Sequence, residues 1–160
     1  MHSRIFQLSK YPIAEDNYIR ESKYYDDWFT REIADYVDGD TDRAADIEWL
    51  KSCVSGLEFG TDKHGAFFII KSREKYFEAA FKQFSMYLEE INKQNTLHNF
   101  ANGISGVWSL NNAHEDKFGF YVDFSTDEDV YNDMCSFDDF VRHSQDGEKY
   151  YIGATIDYHF

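Results

Sequence analysis

Apolar positions recur at two periods along this chain. From about Lys23 to Val37, Tyr25, Trp28, Phe29, Ile33, Tyr36 and Val37 fall at helical spacing, which predicts a helix with Ser22 as its N-cap and Gly39 as its stop. Asp40 or Thr41 can cap a second helix over about Asp42 to Val54, whose buried face is Ala44, Ile47, Leu50 and Val54, with Gly56 beyond its end. The period then shortens. Leu57 to Phe59 and Ala66 to Ile70 are apolar runs joined by a Gly-bounded loop, the pattern of a β-hairpin. Ser72 precedes the strongest helical pattern, from about Arg73 to Asn92, where Phe77, Ala80, Phe81, Phe84, Tyr87, Leu88 and Ile91 make a wide stripe.

Short strands are expected at the two ends. Ile5 to Leu8 is one, and Pro12 lies in the polar loop that follows. Asn92 to Gly103 reads as a connector and Ile104 to Leu110 as a strand. Phe118, Phe120, Val122 and Phe124 alternate with smaller or polar residues as a one-sided strand, joined to the preceding one by a loop over Asn111 to Lys117. Ser136 with Asp139 three residues later caps a short helix through Val141 and His143. The last strand runs from Glu148 to about Tyr158, with Tyr150, Ile152, Ala154, Ile156 and Tyr158 assigned to one face. The expected fold is α+β: three main helices on an antiparallel sheet of five or six strands, in a single domain over residues 1–160.

Composition adds charge to this picture. Thirty Asp and Glu face sixteen Lys and Arg, for a formal charge of −14. The acid is concentrated in two segments, Ala14 to Leu50 and Asn111 to Glu148, around a near-neutral middle. Aromatic residues make up 19% of the chain, too many for a disordered acidic tail. Such a charge repels DNA, RNA and anionic membranes, and attracts basic proteins. Two distant cysteines, Cys53 and Cys135, fit a reducing compartment, and neither a signal-peptide pattern nor a run of about 20 apolar residues is present. The expected location is the cytoplasm.

Motifs with a mechanism are missing. There is no Gly-x-Ser-x-Gly, His-Glu-x-x-His or Cys-x-x-Cys. Gly103 to Gly106 lacks the lysine of a phosphate loop. Asp38-Gly39-Asp40-Thr41-Asp42 begins like a calcium loop, but Arg43 and Trp49 stand where that loop needs Gly and Glu. His114-Glu115-Asp116 is expected in a solvated loop. Asp62-Lys63-His64-Gly65 and Asp116-Lys117-Phe118-Gly119 form a four-position echo, too narrow for a repeat. No catalytic residue, metal or cofactor is assigned.

The acid clusters remain. The first comprises Asp26, Asp27, Asp35, Asp38, Asp40, Asp46 and Glu48, with Asp42 serving as a cap. The second comprises Asp123, Asp127, Glu128, Asp129, Asp133 and Asp138, with Asp139 near a helix start. Like charges at such spacing repel, so a chain that keeps them is expected to use them. Tyr24, Tyr121, Tyr131 and Tyr151 do not all fall on the expected core faces, and exposed tyrosine among carboxylates suits an interface as well as simple edge packing. The expectation is a non-enzymatic, acidic interaction module that mimics nucleic acid and occupies the basic groove of a DNA- or RNA-binding protein. Its size and charge resemble those of small inhibitors of restriction enzymes and CRISPR effectors. The alternative is a small-ligand domain with an aromatic pocket involving Trp108, Phe120 and Tyr150. The oligomeric state is left open by the sequence.

Overall fold

A computed structural model describes residues 1–104, 106–114, 119–124 and 133–160. It has an α+β fold, with helices on both faces of one sheet. The elements in chain order are β1 (His2–Ser9), α1 (Trp28–Glu32), β2 (Tyr36–Asp38), α2 (Arg43–Cys53), β3 (Leu57–Asp62), β4 (Gly65–Ile70), α3 (Arg73–Lys93), α4 (Leu97–Asn102), α5 (Val107–His114), β5 (Tyr121–Phe124), β6 (Asp133–Ser136), α6 (Phe137–His143) and β7 (Lys149–His159). Two 3-10 turns, Glu15–Asn17 and Glu21–Tyr24, lie between β1 and α1.

Among the described residues the sheet has seven strands in the order β3-β4-β7-β1-β5-β6, with β2 also paired to β7. It is mixed rather than antiparallel, because β1 runs parallel to β5 while the other pairs are antiparallel. The expected hairpin between 104–110 and 118–124 is replaced by this long-range parallel pair. Ile104 to Leu110 is not a strand: α5 begins within it and packs on α3. A short apolar run carries no period of its own, and here the neighbouring helix decides its form. The connector before it contains α4, capped by the Thr96 hydroxyl, which accepts the Asn99 N–H.

Local signals hold where they were strong. The Asp42 carboxylate accepts the N–H groups of Ala44 and Ala45 and so caps α2. Ser72 and Ser136 cap α3 and α6 by accepting from Lys75 and Asp139. The largest departure is the expected helix over 23–37. The chain there makes the 3-10 turn at 21–24, the five-residue α1 and the strand β2. Long-range pairing wins: Val37 lies opposite Tyr158 on β7, and the Asp35 N–H donates to the His159 carbonyl. The Ala34 N–H bonds to the Phe29 carbonyl and closes α1.

Two cores result, one on each face of the sheet. Phe6, Leu8, Phe68, Val122, Tyr150 and Ile152 pack against Leu50 of α2 and Phe137, Phe140 and Val141 of α6. Ile5, Tyr121, Ile156 and Tyr158 pack on the other face against Tyr24, Phe29, Ala34 and Val37. The even-numbered residues of β7 therefore do not share one face. The pairing of β1 with β7 shifts between Phe6↔Thr155 and Leu8↔Ile152, so β7 carries one extra residue there. That bulge reverses the alternation, sending Tyr150 and Ile152 to one core and Ile156 and Tyr158 to the other. Full burial of each such side chain contributes roughly 1.5–3 kcal/mol.

The bulge is satisfied by side chains. Gln7 Oε1 accepts the N–H groups of Ala154 and Ile19 at 3.1 and 3.2 Å, and its Nε2 donates to the Asn17 carbonyl at 3.1 Å. A Cβ on Gly153 would lie 2.4 Å from Gln7 Oε1, so the close approach requires glycine. On the far edge of β7, β4 pairs with 149–151 and β2 with 157–159, leaving a gap. Arg43 fills it, donating to the carbonyls of Ile152 and Gly153 at 2.6 and 2.5 Å, and Thr41 donates to the Thr155 carbonyl at 3.0 Å.

Candidate functional site: an acidic and aromatic face around β2

Breaking the expected helix over 23–37 changes which side chains reach solvent. Tyr25, Trp28 and Tyr36, assigned by periodicity to a buried face, are 57%, 46% and 48% exposed. Phe29 and Val37 from the same pattern are buried. Three large aromatic side chains therefore stand on the surface, Tyr25 and Tyr36 at the β2 edge and Trp28 on α1 over the core that Val37 enters, the side from which Tyr36 points away.

The carboxylates around them divide by burial. Asp26, Asp35, Asp38 and Asp40 are exposed and Asp27 is half-buried. The segment is ordered by local hydrogen bonds. Asp38 Oδ1 accepts the Asp40 N–H at 2.8 Å. Glu21 accepts the Gly39 N–H with one oxygen and the Tyr25 hydroxyl with the other. The bond to Glu21 holds the Tyr25 proton and raises that phenol above its ordinary range, with a smaller contribution from Asp38. Tyr36 stacks on the His159 ring at 5.2 Å, and His159 contacts Asp35 at 3.1 Å. Glu21 belongs to this face and was not among the sequence candidates. Its role depends on meeting Gly39 across a turn, which no periodicity announces.

Two of the expected partner-binding acids are interior. Asp46 is 4% exposed and accepts from Arg4 Nε at 2.6 Å and from Thr155 Oγ1 at 2.7 Å. Arg4 also reaches Asp157, which His2 contacts at 2.8 Å, so a chain of charges ties α2 to β1 and β7. Asp123 is fully buried on β5, with Oδ2 accepting from Lys23 Nζ and from the Tyr24 hydroxyl at 2.6 Å. Burial, then Asp123, pushes the Tyr24 phenol far up. Tyr24 and Tyr121 are thus core residues, whereas Tyr151 is half-exposed. Both carboxylates act inside the fold and leave the candidate surface.

The remaining acids are dispersed. Glu48 is exposed and pairs with Lys51 at 3.1 Å. Asp138 is half-buried and accepts the Tyr76 hydroxyl at 2.8 Å. Asp133 opens β6. Asp127, Glu128, Asp129 and Tyr131 lie outside the described residues, as do Glu115 and Asp116 of the expected His114 loop. His114 itself ends α5.

The topology separates β2 from the start of β6. Across β2-β7-β1-β5-β6 there are four strand spacings, or about 19 Å. Tyr36 stands level with His2, and Asp133 level with Leu8, which adds about 20 Å along the strands. The described framework therefore places β2 and the start of β6 at opposite corners of the sheet.

A separate charged cluster marks the β3–β4 hairpin. Asp62 accepts from Lys149 at 2.7 Å and Tyr151 at 3.0 Å, and its second oxygen accepts the His64 N–H at 2.8 Å. These donors, Lys149 foremost, lower the Asp62 carboxyl to about 2. Partial burial opposes ionisation of Glu148, but Lys10, Tyr150 and the Gln145 N–H outweigh it and hold that carboxyl also at about 2. Among the described residues no group of three or more His, Cys, Asp and Glu could hold a metal ion. No described helix is long and apolar enough to cross a membrane. No protein-family model matches the chain, and no curated protein or solved structure matches it.

Proposed function

We propose that this chain is an acidic interaction module whose face around β2 docks on the basic surface of another protein. The supporting observation is the exposure of Tyr25 and Tyr36 at the β2 edge beside the exposed carboxylates of Asp35, Asp38 and Asp40. Tyrosine supplies rigid contact area at low entropic cost, while carboxylates around it select a cationic surface. The formal charge of −14 extends that attraction beyond the contact itself. The partner class is a protein built to grip nucleic acid, such as a restriction or CRISPR effector, whose phosphate-binding groove the carboxylates occupy in competition with DNA or RNA.

The test is capture from nuclease-treated source-cell lysate, with elution by salt and by competing duplex DNA. A basic nucleic-acid-binding protein should be retained and then released steeply between about 50 and 200 mM salt. A variant carrying Asp26→Asn, Asp35→Asn, Asp38→Asn and Asp40→Asn should lose that protein while keeping its fold. Equal capture by this variant, or release independent of salt, would overturn the reading.

A second reading rests on a cleft of about 400 Å³ between α2, α3 and α6, with Val54, Tyr76, Phe77, Phe120 and Phe137 among its walls. It would take a small ligand with both apolar and polar groups, since Ser55, Gln83, Ser136 and Asp138 also line it. It differs from the pocket expected from sequence, because Tyr150 is buried in the core. Stabilisation by a metabolite extract, abolished by Ala80→Trp, would favour it.

A further inference from the structure

α3 carries a wide apolar stripe, yet none of its residues is fully buried. Tyr76 and Phe77 reach the sheet core, and Ile91 lies near Gly106 ahead of α5. Ala80, Phe84, Tyr87 and Ile91 are half-buried, whereas Phe81 is 68% and Leu88 42% exposed. The exposed surface continues onto α4, where Leu97 and Phe100 are 85% and 74% exposed. An apolar helix face of this extent calls for a partner.

Charge indicates which partner. Over residues 73–114, Glu74, Glu78, Glu89 and Glu90 balance Arg73, Lys75, Lys82 and Lys93, so this arm is neutral on a strongly acidic chain. Two copies can meet here without the repulsion that opposes contact elsewhere. At about 100° per residue, Glu78, Lys82, Glu89 and Lys93 fall within about 60° of one another, along the flank of the Phe81–Leu88 stripe turned away from the half-buried residues. Among the described residues Glu78, Lys82 and Glu89 have no ion pair within the chain.

We propose that the protein self-associates through α3, packed antiparallel against α3 of a second copy. A two-fold axis passing between Ser85 and Met86 sets Lys82 opposite Glu89 and Glu78 opposite Lys93 of the second copy, and each pair occurs twice. Under that axis, residues on one flank face the same flank of the partner helix, so both pairs form in a single register. Phe81 and Leu88 lie in the seam. The same register brings Leu97 and Phe100 of one copy toward the N-terminal end of the other copy's α3. An open groove there has walls that include Phe77, Phe81 and Arg142. The interface uses the arm and not the β2 face, so it stands or falls independently of partner capture.

Sedimentation equilibrium over a concentration series tests this, with circular dichroism to confirm folding. The native chain should dimerise. Phe81→Glu should raise the dissociation constant about tenfold or more, and Gln83→Glu, exposed on the side away from both the Phe81–Leu88 stripe and the charged flank, should leave it unchanged. Lys82→Glu or Glu89→Lys alone should weaken association roughly three- to tenfold, and the two together should restore it. A monomer up to sub-millimolar concentration would overturn the proposal. So would association unaffected by Phe81→Glu, or a double reversal no tighter than either single one.

Discussion

The side-chain carbonyl of Gln7 accepts the backbone N–H of Ala154 at 3.1 Å, at the point where β7 holds one residue more than β1. The bulge frees a backbone donor from the ladder, and a buried glutamine receives it. The same residue binds Asn17 and Ile19, so the bulge, the first loop and the reversal of β7 share one support. Replacing Gln7 with Leu leaves the buried Ala154 N–H unpaired, removes the bonds to Asn17 and Ile19, and should cost about 2–4 kcal/mol. Chemical denaturation is the measurement.

Gly153 should show coupling to Gln7. Gly153→Ala places a methyl group against Gln7 Oε1 and against Ile13, whose Cδ1 would be 2.9 Å away. The expected loss is about 1–3 kcal/mol. In a Gln7→Ala background the added loss should be smaller, because one of the two clashes is gone. Additive losses in a double-mutant cycle would show that the glutamine does not set the cost.

Asp123 should behave as a structural charge. Lys23→Met removes its cationic partner and leaves a fully buried carboxylate held by the Tyr24 hydroxyl, at an expected cost of about 2–4 kcal/mol. Adding Asp123→Asn should recover part of that loss, because the amide carries no charge to leave unpaired. Thermal unfolding of the three variants would decide it.

Buried and exposed acids should separate in function. Asp46→Asn weakens the link from α2 to Arg4 and Thr155 and should lower stability by about 1–3 kcal/mol. Partner capture by the folded variant should be unchanged. Asp38→Asn with Asp40→Asn should do the reverse, with stability within about 0.5 kcal/mol of the native chain and weaker capture.

Acid should loosen the hairpin end of the sheet. Asp62 and Glu148 are held at about 2, below their values in an unfolded chain. Their stabilising effect is therefore complete above the ordinary carboxyl range near 4, and is lost as pH falls through about 2. Lys149→Met should raise the Asp62 titration toward its ordinary value, as read by NMR of the side-chain carboxyl carbon. An unchanged midpoint would show that Lys149 is not the main cause.

Legibility in the sequence followed the range of the deciding contact. Ser72, Ser136 and the period of 73–92 place α3 and α6, because a cap and its helix lie within four residues of each other. The hairpin β3–β4, α2 and the last strand were legible for the same reason. The acidic face was legible only in part. The sequence located its carboxylates, but Tyr25, Trp28 and Tyr36 came to the surface only because β2 joined β7.

By itself the sequence determined the α+β class, the strongest helices and the charge of each segment, all properties of residues close along the chain. Tertiary structure decided what depends on distant partners. It turned 23–37 into two short helical pieces and a strand, and made a helix begin within 104–110 by packing it on α3. It drew Asp46 and Asp123 inside by giving each a cation from elsewhere in the chain. It also reversed the faces of β7 through one unpaired residue. Each outcome was set by a contact with a remote part of the chain, which local propensity and spacing do not encode.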